Sequence, residues 1–133
     1  IQQQPEAAAR ILQSCLEANP DSYYAANLLA QTRLQQGHLD QARRDYQVAL
    51  DITRRVQDQS LWRQATAAAA CLALGQLEEA RAHLATLVAR QPAPTPQELQ
   101  SVESSLVDVA NATGVAPAPR DELLSALHVP PTT

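Results

Sequence analysis

The sequence predicts an all-α fold, and three observations support that prediction. First, 25 of the 133 residues are alanine and 16 are glutamine, which are both good helix formers. Second, aromatic residues make up only 3% of the chain, so it is poor in the aromatic side chains that strands prefer. Third, apolar residues recur at the three- and four-residue spacing of amphipathic helices. The length suits a single domain with a buried core.

The apolar pattern predicts five helices before Pro92, separated by glycine and proline signals. Gly37 and Gly75 each follow an apolar-periodic segment, where glycine can adopt the left-handed conformation that ends many helices. Pro20 ends the first segment and suits the first turn of the second. The five expected helices cover residues 5–18, 21–36, 39–56, 59–74 and 77–90.

A proline-rich linker and two further helices follow. The prolines at 92, 94 and 96 disfavour helix in the residues before them. Thr95, Pro96 and Glu98 then match a helix start, with an N-cap threonine and a glutamate three positions later. We expect this sixth helix to reach Gly114, residues 115–119 to form a loop, and residues 120–128 to form a last short helix.

Two segments of the chain are similar position by position. Residues 37–49 and 75–87 both begin with glycine, followed by leucine two positions later, an acid three later, alanine five later and a large residue nine later. Ala42 and Ala80 are therefore equivalent, and the opening segment fits the same template at Ala8. These alanines are spaced by 34 and 38 residues, which predicts an extra helical turn near residues 51–58.

This spacing resembles the tetratricopeptide repeat, a helix–turn–helix unit of about 34 residues. The residues that match the family in the unit starting at Tyr23 are Leu29, Ala30, Gly37, Ala42, Tyr46 and Ala49, and in the unit starting at Leu61 they are Ala68, Gly75, Ala80 and Pro92. Both units lack aromatic residues at two positions where the family has them. The resemblance implies a right-handed α-solenoid of antiparallel helix pairs at residues 1–93, with a helical cap and tail at 94–133.

Small residues have a packing role in such a unit, because they let two helices approach closely where they cross. We expect Ala30 to face Ala42, and Ala68 to face Ala80. The first helix matches only the second half of a repeat. Its apolar face would then be uncovered and adhesive, so we expect a longer array or a homodimer formed through this helix. The residues assigned to that face are Ala8, Ile11, Leu12, Cys15 and Leu16.

The sequence contains no catalytic or metal-site pattern. His38, His83 and His128 lie in different units without a cysteine or acid at metal-ligand spacing. The three glycines are isolated, which argues against a phosphate-binding loop. Cys15 and Cys71 fall at positions expected in the core, where cysteine usually packs as a small apolar residue. We therefore expect neither an enzyme nor a bound cofactor.

Charge and hydropathy narrow the possible partners. The balance of 10 basic and 14 acidic residues gives a net charge of −4, which disfavours direct binding of nucleic acid. The longest apolar run, residues 67–74, is too short to cross a membrane. The alanine- and arginine-rich composition without lysine suggests a bacterial-type protein, and the start at Ile1 suggests a part of a larger one. The sequence leaves the compartment open between cytoplasm and periplasm.

The resemblance implies a binding surface on the concave face, lined by the first helix of each unit. The family's groove positions fall on Tyr24, Asn27, Gln31, Leu34 and Gln35, and then on Trp62, Ala65, Ala69, Leu72 and Ala73. Amide side chains there could bond an extended peptide, with Tyr24 and Trp62 as apolar anchors. The sequence leaves open that both aromatic residues only pack between units, and that the alanines at 65–70 form either a groove floor or a tight helix contact.

The expected function is therefore non-enzymatic protein–protein interaction or assembly scaffolding, with a peptide or partner protein on the concave face. Two alternatives stay open. One is a regulatory or sensor module of a transcription factor or signalling enzyme, and the other is a periplasmic envelope assembly factor. The last short helix, with Leu123 and Leu127, either completes the cap or occupies the groove.

Overall fold

A computed structural model describes residues 4–56, 60–90 and 93–128, and these residues form helices without any strand. The helices are α1 (Gln4–Ala18), α2 (Tyr23–Gln35), α3 (Leu39–Arg55), α4 (Leu61–Ala73), α5 (Leu77–Val88), α6 (Pro96–Thr113) and α7 (Pro117–Ser125), followed by a 3₁₀ turn at Ala126–His128. The predicted all-α class is confirmed. Pro92 and the expected start of the fourth helix at residue 59 lie outside the described residues.

Most helix boundaries follow the signals in the sequence. Gly37 and Gly75 end the turns after α2 and α4 with φ values of 79° and 80°, a conformation that costs little only without a Cβ atom. At the start of α6, Thr95 Oγ1 accepts the backbone N–H of Glu98, and the Glu98 carboxylate accepts the backbone N–H of Thr95. The predicted capping box is therefore confirmed.

The starts of α2 and α7 differ from the prediction. Helix α2 begins at Tyr23 rather than at residue 21, because Ser22 is the N-cap and its Oγ accepts the backbone N–H of Ala25 at 3.1 Å. Helix α7 begins at Pro117 rather than at residue 120. Proline suits this first position because its missing N–H would have no partner there. The loop after α6 is therefore shorter than expected.

Helix α3 is longer than its counterpart α5. Both begin two residues after a glycine, but α3 has 17 residues and α5 has 12. The predicted extension is thus present as far as Arg55. Its guanidinium donates to the Asp21 carboxylate at 2.9 Å and to the Pro20 carbonyl at 3.3 Å. The added length therefore ties α3 to the turn between α1 and α2.

Neighbouring helices pack as pairs, and small residues occupy the contacts between them. Helix α2 packs against α3 and α4 against α5, while α3 also packs against α4. Ala30, Ala42, Ala68 and Ala80 are all completely buried. This agrees with the expected role of alanine at the helix crossings, where a larger side chain would force the backbones apart.

Helix α1 departs from the repeat pattern. It packs on α2, yet Ala8 is only half-buried, so it is not equivalent to Ala42 and Ala80. Ala9 is its fully buried alanine, and Leu16 packs against the apolar residues of α2 and α3. Ile11 is 64% exposed and Cys15 is exposed as well, so the expectation that Cys15 lies in the core is wrong. The two side chains lie on the side of α1 away from α2.

The C-terminal helices cover different parts of the array. Helix α6 packs along α4 and also reaches α2, whereas α7 and the 3₁₀ turn pack against α5. Leu123 and Leu127 are buried in the same apolar core as Leu84 and Leu87 of α5. The last helical segment therefore packs against α5 and shares its apolar core.

Enlarging an alanine at a helix crossing should destabilise the fold. We expect Ala42→Leu and Ala80→Leu each to lower the free energy of unfolding by about 1–3 kcal/mol, because a fully buried site has no room for the added methylenes. Urea denaturation followed by far-ultraviolet circular dichroism measures the change. Ala85→Leu, at an exposed position of α5, is the matched control and should stay within about 0.5 kcal/mol. Unchanged midpoints for both crossing variants would contradict this assignment.

Candidate functional site

Helices α2, α4 and α6 enclose a groove that contains two cavities. We call the larger one, about 690 Å³, the amide cavity, and the smaller one, about 420 Å³, the aromatic cavity. The amide cavity is lined by Gln31, Leu34, Gln35, Ser105, Asp108, Val109, Asn111 and Ala112. The aromatic cavity is lined by Tyr24, Asn27, Gln31, Trp62, Ala65, Thr66, Ser101, Val102, Ser105 and Leu106.

A hydrogen bond between α2 and α6 separates the two cavities. The Gln31 side-chain amide donates to Ser105 Oγ at 3.2 Å, and both residues line both cavities. In each helix the earlier residues line the aromatic cavity and the later ones line the amide cavity, so α2 and α6 run in the same direction. The groove therefore extends along the two helices and passes this hydrogen bond.

All the predicted site residues except Ala69, Leu72 and Ala73 line one or both cavities. Tyr24, Asn27, Trp62 and Ala65 surround the aromatic cavity, with Gln31 shared between the two. Leu34 and Gln35 line the amide cavity. Tyr24 is 64% exposed and Trp62 is 43% exposed. The two aromatic side chains are therefore accessible and do not serve only as packing between units.

Three alanine and leucine positions expected on the open face are instead buried. Ala69, Leu72 and Ala73 are at most 3% exposed and line neither cavity, so that expectation is wrong. The reason is that α4 is covered along its second half by packed helices, with α6 against it. The alanines at 67–70 thus make a tight helix contact, and Ala65 is left half-buried at the aromatic cavity.

Sequence reasoning missed the contribution of α6 to the groove. Ser101, Ser105 and Asp108 follow one another at four- and three-residue spacing beside the buried stripe that contains Val102 and Leu106. A simple capping helix would turn this polar side to solvent. The row of small polar residues directly beside the apolar stripe was the available signal, because that flank lies nearest to a neighbouring helix.

Two buried polar atoms, one on α2 and one on α3, have no hydrogen-bond partner in the described part of the chain. The Asn27 Oδ1 atom is buried without a hydrogen bond, and so is the hydroxyl of Tyr46 on α3. Burial raises the pKa of the Tyr46 hydroxyl far above its usual range, and the nearby negative charge of Asp108 raises this pKa further. Asp108 is the charged residue among those that line the cavities.

Two titratable groups outside the groove, His83 and Cys71, have pKa values that burial shifts. His83 Nδ1 lies 2.9 Å from Gln64 Oε1 between α4 and α5, and burial lowers the pKa of this histidine. Burial raises the pKa of the Cys71 thiol to about 11.

Among the described residues, no group of three histidine, cysteine or acidic side chains is arranged to hold a metal ion. None of the described helices has both the length and the apolar character needed to cross a bilayer.

Comparison with known families gives one match. A model described as Tetratricopeptide repeat matches residues 1–68, which cover about half of the chain and include the whole of α1, α2 and α3. The comparisons with curated proteins and with solved structures return no significant match.

The stability of the fold should depend on the protonation of His83. Its pKa in the folded chain is below the ordinary value of 6.5, so the unfolded chain takes up the proton first as the pH falls. We therefore expect the free energy of unfolding to decrease as the pH drops from about 7.5 to about 5.5, and His83→Gln to lose part of this decrease. His38→Gln, which replaces an exposed histidine before α3, is the control for the substitution itself. Identical slopes for wild type and His83→Gln would exclude this role.

The two cysteines should differ strongly in reactivity. Cys15 is exposed, whereas Cys71 is fully buried and its thiol has a raised pKa. A disulfide reagent such as 5,5′-dithiobis(2-nitrobenzoic acid) should therefore label one thiol per native chain rapidly, and both thiols in urea. In Cys15→Ser the rapid phase should disappear. Two rapid thiols in the native wild-type chain would show that Cys71 is not protected.

Proposed function

The chain belongs to the tetratricopeptide repeat family, and from this membership we propose that it is a protein-binding module whose groove holds an extended segment of a partner protein. Repeats of this family generally mediate protein–protein interaction, and the family is typically non-enzymatic. The observation that carries the proposal is the groove itself, which collects two accessible aromatic side chains and several amides from helices far apart in sequence.

The amide side chains support recognition of a peptide backbone. Every peptide residue other than proline offers one N–H donor and one carbonyl acceptor. Asn27, Gln31 and Gln35 follow one another along the groove side of α2, and each amide can both donate and accept. Asn27 lines the aromatic cavity and its Oδ1 atom lacks a partner among the described residues, so a turn of this amide would let it accept a backbone N–H of the bound segment.

The aromatic side chains support the binding of an apolar residue. Tyr24 and Trp62 flank the same cavity from α2 and α4, with Ala65 as a small residue between the two helices. Covering their exposed surface would remove apolar area from water, at about 25 cal/mol for each square ångström. Tyrosine and tryptophan are frequent among the residues that dominate binding energy.

We further propose that residues 94–133 form a cap on the repeat array of residues 1–93. The shared apolar core of α5, α7 and the 3₁₀ turn supports this division of roles. The pairing of Arg81 on α5 with Glu122 on α7 supports it as well.

The self-association through α1 that the sequence suggests stays a prediction. It is supported by the exposed Ile11 and Cys15, which follow each other at four-residue spacing on the side of α1 away from α2. A second copy that packed on this side would leave the groove between α2 and α6 free.

The groove should be required for partner capture. We expect the triple variant Tyr24→Ala/Asn27→Ala/Gln31→Ala to lose its captured partner by at least about tenfold in quantitative pull-downs, because truncating central binding residues often costs more than 1 kcal/mol each. The control is Gln41→Ala/Arg44→Ala/Val48→Ala, which alters three exposed positions of α3.

Circular dichroism establishes that both triple variants are folded. If the folded groove variant keeps the partner and the α3 variant loses it, the binding interface lies on α3 and not in the groove.

A further inference from the structure

Asp108 differs from most carboxylates of the described chain. Six of them lie within 4.0 Å of an arginine nitrogen: Glu6, Asp21, Asp45, Glu79, Asp121 and Glu122. Asp40 and Glu78 lie in the first turns of α3 and α5, where the helix dipole stabilises a negative charge. Asp108 has no ion pair or hydrogen bond within the described ranges. It also lies in the C-terminal half of α6, where the helix dipole does not stabilise it.

We propose that the amide cavity is a subsite for a cationic side chain, so that the bound segment carries a lysine or arginine. This inference rests on the proposed function, because the same segment would place an apolar residue in the aromatic cavity. The partner is then an extended peptide in which a basic residue and an apolar residue stand at a fixed separation.

The chemistry of the amide cavity fits a cation. Its lining combines the Asp108 carboxylate with the Gln35 amide and the Ser105 hydroxyl, which all offer oxygen atoms to N–H donors. A volume of about 690 Å³ accommodates a long side chain. Arg120 approaches the edge of this cavity, where it donates to Asn111 Oδ1 at 3.3 Å, but its guanidinium also pairs with Asp121.

The buried Tyr46 hydroxyl is a neighbour of Asp108 that makes no hydrogen bond with its carboxylate. This hydroxyl is buried, has no partner among the described residues, and lies close enough to Asp108 to feel its negative charge. A cation bound beside Asp108 would neutralise that charge at the protein surface. The chain itself supplies no arginine or histidine among the described lining residues.

The two helices fix the separation of the subsites. Tyr24 and Gln31 are seven positions apart on α2, and Ser101 and Asp108 are seven apart on α6. Seven helical residues span about 10 Å at roughly 1.5 Å per residue. An extended chain advances about 3.3 Å per residue. The basic residue of the bound segment should therefore stand about three positions from its apolar residue.

A displayed library of random twelve-residue peptides, selected on the full chain, tests the proposal. The selected peptides should be enriched in lysine or arginine about three positions from a large apolar residue. The affinity of one such peptide should fall about two- to fivefold at low salt in Asp108→Asn, as for the loss of one partly exposed ion pair. Asp51→Asn, which removes an exposed carboxylate on α3, should leave the affinity unchanged.

A double-mutant cycle assigns the contact. When the basic residue of the peptide is replaced by glutamine, the wild-type chain and Asp108→Asn should bind it equally well. Peptides that need Tyr24 and Trp62 but carry no basic preference, or that bind Asp108→Asn as tightly as the wild type, would overturn the cation subsite and leave the proposed function standing. Failure to select any peptide that depends on the groove would overturn both.

Discussion

The close packing of α4 against α2, α3, α5 and α6 controls the shape of the groove. Residues 66–73 of this helix are all buried, and most of them are alanine. Small side chains let the neighbouring backbones come near, and the closely packed interface then gains many weak dispersion contacts. The second half of α4 is covered as a result, and only its first half contributes to the groove, through Trp62, Ala65 and Thr66. The position of the candidate site follows from this distribution of small residues.

Much of the fold could be predicted from local patterns, because the signals act within one or two turns. Gly37 and Gly75 end helices through their own backbone conformation, and Thr95 starts one through a bond to a residue three positions away. The covered face of α1 could not be predicted in this way. Both sides of that helix carry apolar residues, and only the position of α2 decides that Leu16 packs and Ile11 stays exposed.

Half of the candidate site was predictable for a different reason. The family pattern defines the register of α2, so the spacing of Tyr24, Asn27 and Gln31 is enough to assign them to one face of that helix. The half of the site on α6 could not be predicted, because it depends on a contact between Gln31 and Ser105, which are 74 positions apart in the sequence. A polar flank such as that of α6 has the same sequence pattern whether it faces water or another helix, so only the three-dimensional arrangement distinguishes the two.

The hydrogen bond between Gln31 and Ser105 affects how the groove binds peptide segments of different length. A short peptide segment can occupy either cavity and leave the bond between Gln31 and Ser105 intact. A segment long enough to lie in both cavities passes this bond and can replace it with its own backbone groups. A neutral hydrogen bond of this kind contributes only about 1 kcal/mol, so replacing it costs little free energy. That cost concerns only segments long enough to reach both cavities.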